Sequence, residues 1–343
     1  MTRRPYSTFE PPAFQPAPWL PGRHLQTMVG RWLRKKNGVA FRRERIETAD
    51  GDFVDLDFAD VLGATWTDLG EHAPIGLLLH GLEGSARSGY AYETYRQLAA
   101  NGVRPVGLNF RSCSGEMNRN PRLYHSGDTD DAAAVMALLA QRYPDVLRGA
   151  IGFSLGGNVL LKYLGERGEE AHVDAAVSVS VPFRLGDCAA RLDQGFSRLY
   201  RWNLMRKLRG KVAAKAEVLS SACSVPDALN TQTFREFDDA VTAPLHGFAD
   251  ADDYYTRSSS ESFLHGIRVP TLLLQSWDDP FVFSVDAAHT LARENPYLNP
   301  SFQSHGGHVG FVEGGVPWRP TFWAETTAAA YLHHQLTAGE GPV

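Results

Sequence analysis

From residue 75 onward the apolar positions fall into short unbroken runs, separated by stretches in which they recur every three or four residues. Ile75-Gly76-Leu77-Leu78-Leu79 predicts a strand buried on both faces, and Tyr90 to Asn101 a helix. The pattern then repeats: strand Val103 to Phe110, helix Asp130 to Tyr143, strand Leu147 to Phe153, helix Asn158 to Glu166, strand Ala175 to Val181. Continuous apolar strands alternating with amphipathic helices mean βαβ units, and so a mostly parallel central sheet with helices on both faces. Ahead of this series, Arg42 to Thr48 and Phe53 to Ala59 are β-rich and flank Ala49-Asp50-Gly51-Asp52. The Asp-Gly pair there predicts a hairpin.

After Val181 the rhythm breaks. The next convincing strand is Pro270 to Gln275, far beyond the roughly 30 residues of a whole βαβ unit. The surplus, about 184–262, has helical spacing at Phe196, Leu199, Tyr200, Leu204, Leu208 and Val212, and no strong strand. It reads as a helical cap inserted over the sheet. A last strand near Pro300 to Ser304 and a helix Thr321 to Leu336 complete the series. Residues 1–40 are rich in proline and aromatic residues, with one short helix from Leu25 to Lys36. The expected organisation is an N-terminal arm, 1–40, packed on one α/β domain, 41–340, that carries the cap.

Composition narrows the function classes. With 43% hydrophobic and 21% charged residues in 343, the chain has apolar surface enough for a sizeable core. A net charge of −5 gives no overall basic field for nucleic acid. The longest apolar runs, Ile75 to Leu79 and Ala132 to Ala140, are far below the ~18 residues of a membrane span. Arg3-Arg4 invites an export reading, but a proline-rich aromatic segment follows where an apolar stretch is required. Cys113, Cys188 and Cys223 are odd in number and widely spaced, which fits a reducing compartment. The expected location is cytoplasmic.

Chemistry concentrates in Gly152-Phe153-Ser154-Leu155-Gly156, set between a predicted strand and a predicted helix. Small residues two before and two after the serine permit a sharp turn that presents its hydroxyl at the helix N-terminus, a nucleophile elbow. A hydroxyl nucleophile needs a base and an acid that follow it in the chain. His308 lies in the glycine-rich loop Ser304 to Gly310 after the last strand; Gly306, Gly307 and Gly310 favour it over His305. A His305/His308 metal pair is the weaker reading, since no thiol or carboxylate companion is evident. His333-His334 reads as a solvated helix surface. The acid falls just past strand Pro270 to Gln275, at Asp278 or Asp279, with the spacing from Ser276 favouring Asp279. The loop His80-Gly81-Leu82-Glu83-Gly84 can aim the Leu82 amide, beside that of Leu155, at an oxyanion, with His80 as a buried support. Cys113 reads as a small loop residue rather than a rival nucleophile.

These blocks, together with Asn109 to Glu116, Tyr124-His125-Ser126-Gly127, Asp278-Asp279-Pro280-Phe281 and the arm's His24-Leu25-Gln26-Thr27, resemble the AB hydrolase 4 group, the YheT-like α/β-hydrolases. The resemblance spans nearly the whole chain and departs at Ser112, where a glycine is expected. It implies the α/β-hydrolase fold and a serine hydrolase with a charge relay of Ser154, Asp279 and His308. It further implies a carboxylic ester hydrolase working through an acyl-enzyme, on short- to medium-chain acyl esters or lipids, eukaryotic relatives acting on phospholipids or acylglycerols. That chemistry needs no cofactor and no metal. A thioesterase, amidase or C–C bond hydrolase on the same triad is the alternative, and a non-catalytic binding protein the lesser one, since no triad member is missing. The basic residues Arg198, Arg201, Arg206, Lys207, Arg209, Lys211 and Lys215 read first as a solvated helix face, and alternatively as a contact for anionic lipid head groups.

Overall fold

A computed structural model of the chain describes residues 9–337. Its centre is an eight-stranded sheet in the order β1-β2-β4-β3-β5-β6-β7-β8. The strands are β1 (Val39–Glu47), β2 (Phe53–Val61), β3 (Ile75–Leu79), β4 (Arg104–Asn109), β5 (Arg148–Phe153), β6 (Ala175–Val179), β7 (Thr271–Ser276) and β8 (Leu298–Gln303). From β4 to β8 every pairing is parallel; the hairpin β1–β2 joins antiparallel, with Leu56 opposite Leu108. The expected hairpin is thus part of the main sheet. Its outer strand is polar, as an unpaired edge requires, and Arg43 and Arg45 reach across to Asp57 and Asp55.

The strand pattern of unbroken apolar runs follows from burial on two sides. Leu77 and Leu79 of β3 face one apolar layer, with Val106, Leu160 and Leu164; Leu78 faces the other, with Tyr95, Ile151 and Leu332. Truncating any of these leucines to alanine would cost about 2–5 kcal/mol.

The elements depart from expectation mainly at their ends. The arm helix is Arg23–Leu33, the helix after Ser154 starts at once at Leu155, and β8 begins two residues before Pro300. The terminal helix is Trp323–Thr337, because Thr321 and Phe322 form a two-residue strand, β10, against β9 (Val312–Glu313). Two-residue strands carry no periodicity by which a sequence could reveal them. At Ser112, where the resemblance leads one to expect glycine, φ is +61°, and the serine donates to Asn118 Oδ1 at 2.5 Å.

Between β6 and β7 the chain is helical, beginning at Leu185–Leu192, continuing through the long helix Ser197–Ala214 and ending in a 3₁₀ stretch, Ser260–Gly266. These helices bury a cluster of their own, including Leu192, Met205, Leu208, Val212, Phe237 and Val241, and Leu82 and Phe281 from the sheet side pack against it. The arm is anchored on the terminal helix and on the chain after β8. Arg34 donates to Glu325 of the terminal helix at 2.5 Å and to the carbonyl of Gly310 at 2.9 Å, and Ala17 donates to Val312.

Candidate active site

β5 runs directly into the helix Leu155–Arg167 through a single residue, Ser154, with φ +51° and ψ −117°. A non-glycine residue there carries strain on the order of 1–3 kcal/mol, held here by the Ser154 amide donating to Val179 of β6 at 2.8 Å. The flanking glycines are obligatory. A Cβ on Gly152 would lie 2.5 Å from the carbonyl oxygen of Gly156, and one on Gly156 would lie 2.6 Å from that of His80.

Three residues from three loops meet above the sheet's C-terminal edge. The Ser154 hydroxyl donates to His308 Nε2 at 2.9 Å, and His308 Nδ1 donates to Asp279 Oδ2 at 2.8 Å. The carboxylate is an acceptor only, so it selects the tautomer that leaves Nε2 free to take a proton. Asp279 is buried and accepts further from the Phe281 amide at 2.8 Å and from Gln275 Nε2 at 3.3 Å. Phe281 in turn stacks on the His308 ring, centroids 3.9 Å apart. Asp278 points elsewhere: its Oδ1 accepts from the Gly307 amide at 2.9 Å. His305 is exposed and lies 3.5 Å from Asp278, away from the serine.

The loop that carries His308 is clamped on all sides. Ser276 Oγ donates to the Gly307 carbonyl, Ser180 Oγ accepts from Val309, and Thr27 Oγ1 of the arm helix accepts from the His308 amide at 2.9 Å. Gln26 closes the far end, accepting from the Val312 amide and donating to its carbonyl. These contacts hold Val309 and Phe311 at positive φ. Gln26, Thr27, Ser180, Gln275 and Phe281 are the site residues that sequence reasoning missed. The arm's His24 to Thr27 block and the Asp278 to Phe281 block carried a signal for three of them, Gln26, Thr27 and Phe281.

The loop after β3 passes over the serine; a Cβ on Gly81 would lie 3.2 Å from that of Ser154. Among the described residues the amides of Leu82 and Leu155 donate to no protein acceptor, although both residues line the cavity at Ser154. His80 supports the loop, donating from Nδ1 to Gly81 and accepting at Nε2 from the Phe110 amide; burial holds its pKa down at about 3, so it stays neutral. Glu83, at φ +55°, is held by the Tyr124 hydroxyl and by Lys211, 2.8 Å from its Oε1.

Lys211 corrects the reading of the basic stretch as one solvated helix face. Lys207, Lys211 and Lys215 turn inward, to the Glu83 carbonyl, the Glu83 carboxylate and the Asn118–Arg122 loop. Arg201 pairs with Asp193 and Arg209 donates to Thr231. Only Arg198 and Arg206 of the seven are exposed. His333-His334 is likewise split, with His334 packed against Phe9. Cys113 sits 3.1 Å from Lys211, and burial pushes its thiol above the ordinary range.

A mainly apolar cavity of about 110 Å³ is lined by Ser154 and, from the inserted helices, by Leu208, Phe237, Val241 and His246. In its lining His125 and His246 lie with ring centroids 4.3 Å apart and tilted by 55°, and burial keeps both pKa values below the usual histidine range. A strained serine hydrogen-bonded to an oriented imidazole, one free amide at a helix N-terminus, a second in the loop after β3, and an apolar cavity can together perform acyl transfer. Among the described residues no group of three or more His, Cys, Asp or Glu is placed to hold a metal ion, and no helix is long and apolar enough to cross a membrane.

Comparison with known proteins agrees with this fold. A family model described as alpha/beta hydrolase fold matches residues 77–315. The chain is 37% identical over 321 residues, 92% of its length and 91% of the relative's, to YheT of Escherichia coli, which is named as an esterase. It is 30% identical over 310 residues to the phospholipase ABHD3 of Mus musculus, covering 90% of this chain and 75% of that one. A hyperthermophilic esterase from Pyrobaculum calidifontis superposes with a TM-score of 0.54 over 92% of this chain and 90% of that one; at 14% identity the likeness is one of fold.

Proposed function

The chain belongs to the alpha/beta-hydrolase fold family, and from that premise we propose that it is a serine carboxylic ester hydrolase acting through Ser154, His308 and Asp279. The observation that carries the reading is the unbroken line from the Ser154 hydroxyl through His308 to the buried Asp279, at the mouth of an apolar cavity. Ser154 attacks the ester carbonyl while His308 Nε2 takes its proton. Asp279 stabilises the imidazolium, and the amides of Leu82 and Leu155 hold the oxyanion. The alcohol leaves with the proton from His308, and water repeats the sequence on the acyl-enzyme.

The inserted helices act as a cap whose cavity takes the acyl chain, and the arm acts as a buttress for the His308 loop. The substrate class is short- to medium-chain acyl esters or lipids, in keeping with relatives named as esterase and phospholipase. The test is labelling with a fluorophosphonate probe, followed by assay on p-nitrophenyl esters, acyl-CoAs and phospholipids. Ser154→Ala is expected to lose the label and at least about 10³-fold in ester turnover. A variant that keeps the label, or more than about a tenth of the turnover, excludes Ser154 as nucleophile. Faster turnover of acyl-CoA than of any oxygen ester makes the enzyme a thioesterase.

A further inference from the structure

The helix pair that rims the site opening carries apolar and cationic groups which the proposed reaction does not use. His24 of the arm helix lies 4.5 Å from the ring of Phe196, and its Nδ1 is 3.0 Å from the Tyr200 hydroxyl on the long inserted helix. Further along, Lys207 is held below the usual lysine range by burial and, next, by the charge of Arg31. The two helices thus meet where His24 touches Phe196 and Tyr200, and the charge of Arg31 is felt at Lys207 on the long inserted helix. Tyr200 packs on Phe281, which stacks on His308, and Lys207 reaches the Glu83 carbonyl. The pair therefore borders the entrance to the site.

Outward, both helices present large apolar side chains. Trp32 is 75% exposed and Trp202 57%, with Leu25, Phe196 and Leu199 also exposed. Leu25 and Trp32 are seven residues apart, and Leu199, Trp202 and Arg206 stand at i, i+3 and i+7, so each helix shows one outward stripe. Arg31, Arg198 and Arg206 are exposed among them and, among the described residues, form no ion pair with a carboxylate. The guanidinium of Arg206 lies over the Trp202 ring. Charge is segregated here: the chain's net charge is −5, yet no acidic residue falls between Glu10 and Glu44 or between Asp193 and Glu217.

We infer that this face docks on the surface of an anionic phospholipid bilayer, with the tryptophans at head-group depth and the arginines on lipid phosphates. Aromatic and cationic residues on helices lying flat are the composition such an interface selects. A second copy of the chain fits worse, since a self-complementary contact sets the arginines against their own images. The docking face goes beyond the proposed reaction, and where that reaction holds it brings a lipid ester to the cavity mouth.

The experiment is co-sedimentation of the full chain, carrying Ser154→Ala so that lipid is not consumed, with vesicles of phosphatidylglycerol and phosphatidylcholine or of phosphatidylcholine alone. Binding to the anionic vesicles is expected, at least about tenfold weaker to the neutral ones and weakened by salt. The pair Trp32→Ala, Trp202→Ala should lose at least about tenfold in vesicle affinity. In the otherwise wild-type chain that pair should leave hydrolysis of a soluble short ester within about twofold. Arg198→Glu with Arg206→Glu repeats the test without removing an apolar group. No sedimentation with anionic vesicles at millimolar lipid, or binding unchanged in both double variants, overturns the inference. So does a dimer in size-exclusion chromatography that the tryptophan variants dissolve while vesicles remain unbound. Sedimentation does not depend on turnover, so a chain that binds vesicles but hydrolyses no ester refutes the proposed reaction and leaves the docking face standing.

Discussion

The hydroxyl of Thr27 accepts a hydrogen bond from the backbone amide of His308 at 2.9 Å, joining residues 281 apart in the chain. The same hydroxyl donates to the Arg23 carbonyl at 2.7 Å, so its orientation is fixed by the arm helix itself. The imidazole that reaches Ser154 is thereby placed by a segment outside the α/β alternation.

Thr27→Val keeps the shape and leaves the His308 amide without its acceptor, a loss of about 1–3 kcal/mol. Because the amide positions the base rather than the substrate, kcat should fall by roughly 5- to 150-fold with KM little changed. Thr27→Ser should restore most of it. Steady-state kinetics on a soluble ester check this, and an equal rise in KM with unchanged kcat would place Thr27 in binding.

Asp278 and Asp279 are adjacent and hold different partners, the Gly307 amide and His308. Asp279→Asn removes the acceptor at His308 Nδ1 and, by analogy with other triads, should cost on the order of 10⁴ in turnover. Asp278→Asn keeps a side-chain oxygen that can still accept from Gly307, so its cost should stay below about tenfold. Both are assayed at matched folded concentration; the reverse ranking moves the acid to Asp278.

Leu245 lines the cavity beside His246. Leu245→Trp should fill part of it, lowering turnover of octanoyl and longer esters by more than about tenfold while acetyl and butyryl esters stay within about threefold. A chain-length series of p-nitrophenyl esters measures this. An unchanged profile would show that acyl chains do not enter the inserted helices.

Stability should carry a pH signature from Asp238, whose carboxyl is buried in the insertion against Thr242 and Tyr255 and is pushed up from 3.8 to about 7, chiefly by burial. Between those values the folded chain holds a proton that the unfolded chain has released. The contribution is therefore full below about pH 4 and is lost as pH rises to about 7, at no more than about 1.4 kcal/mol per unit. Asp238→Asn should lack this slope, so its stability relative to wild type should rise with pH across the window. Urea unfolding of both proteins at pH 4.5, 6 and 7.5 checks the sign.

Much of the fold was legible because the information is local. Unbroken apolar runs such as Ile75 to Leu79 arise from burial on both faces, and Asp50-Gly51 marks a turn whatever surrounds it. The elbow was legible for the same reason: Gly152, Ser154 and Gly156 meet within one turn, so the constraint that fixes them lies inside five residues. Ends of elements were less clear, since β9 and β10 exist only through their pairing.

What tertiary structure decided was the choice among chemically equivalent neighbours and the partners of charged side chains. Asp278 and Asp279 are the same residue type, and only the turn after β7 aims one at His308 and the other at Gly307. The basic stretch shows the same limit: Lys207, Lys211 and Lys215 turn inward to acceptors more than ninety residues away, while Arg198 and Arg206 stay outside. A sequence displays the period of a helix but not which face meets a neighbour carrying the matching charge. The arm made the same point at Gln26 and Thr27, whose partners in the His308 loop and β9 lie beyond residue 306 and become partners only when these distant segments are packed together.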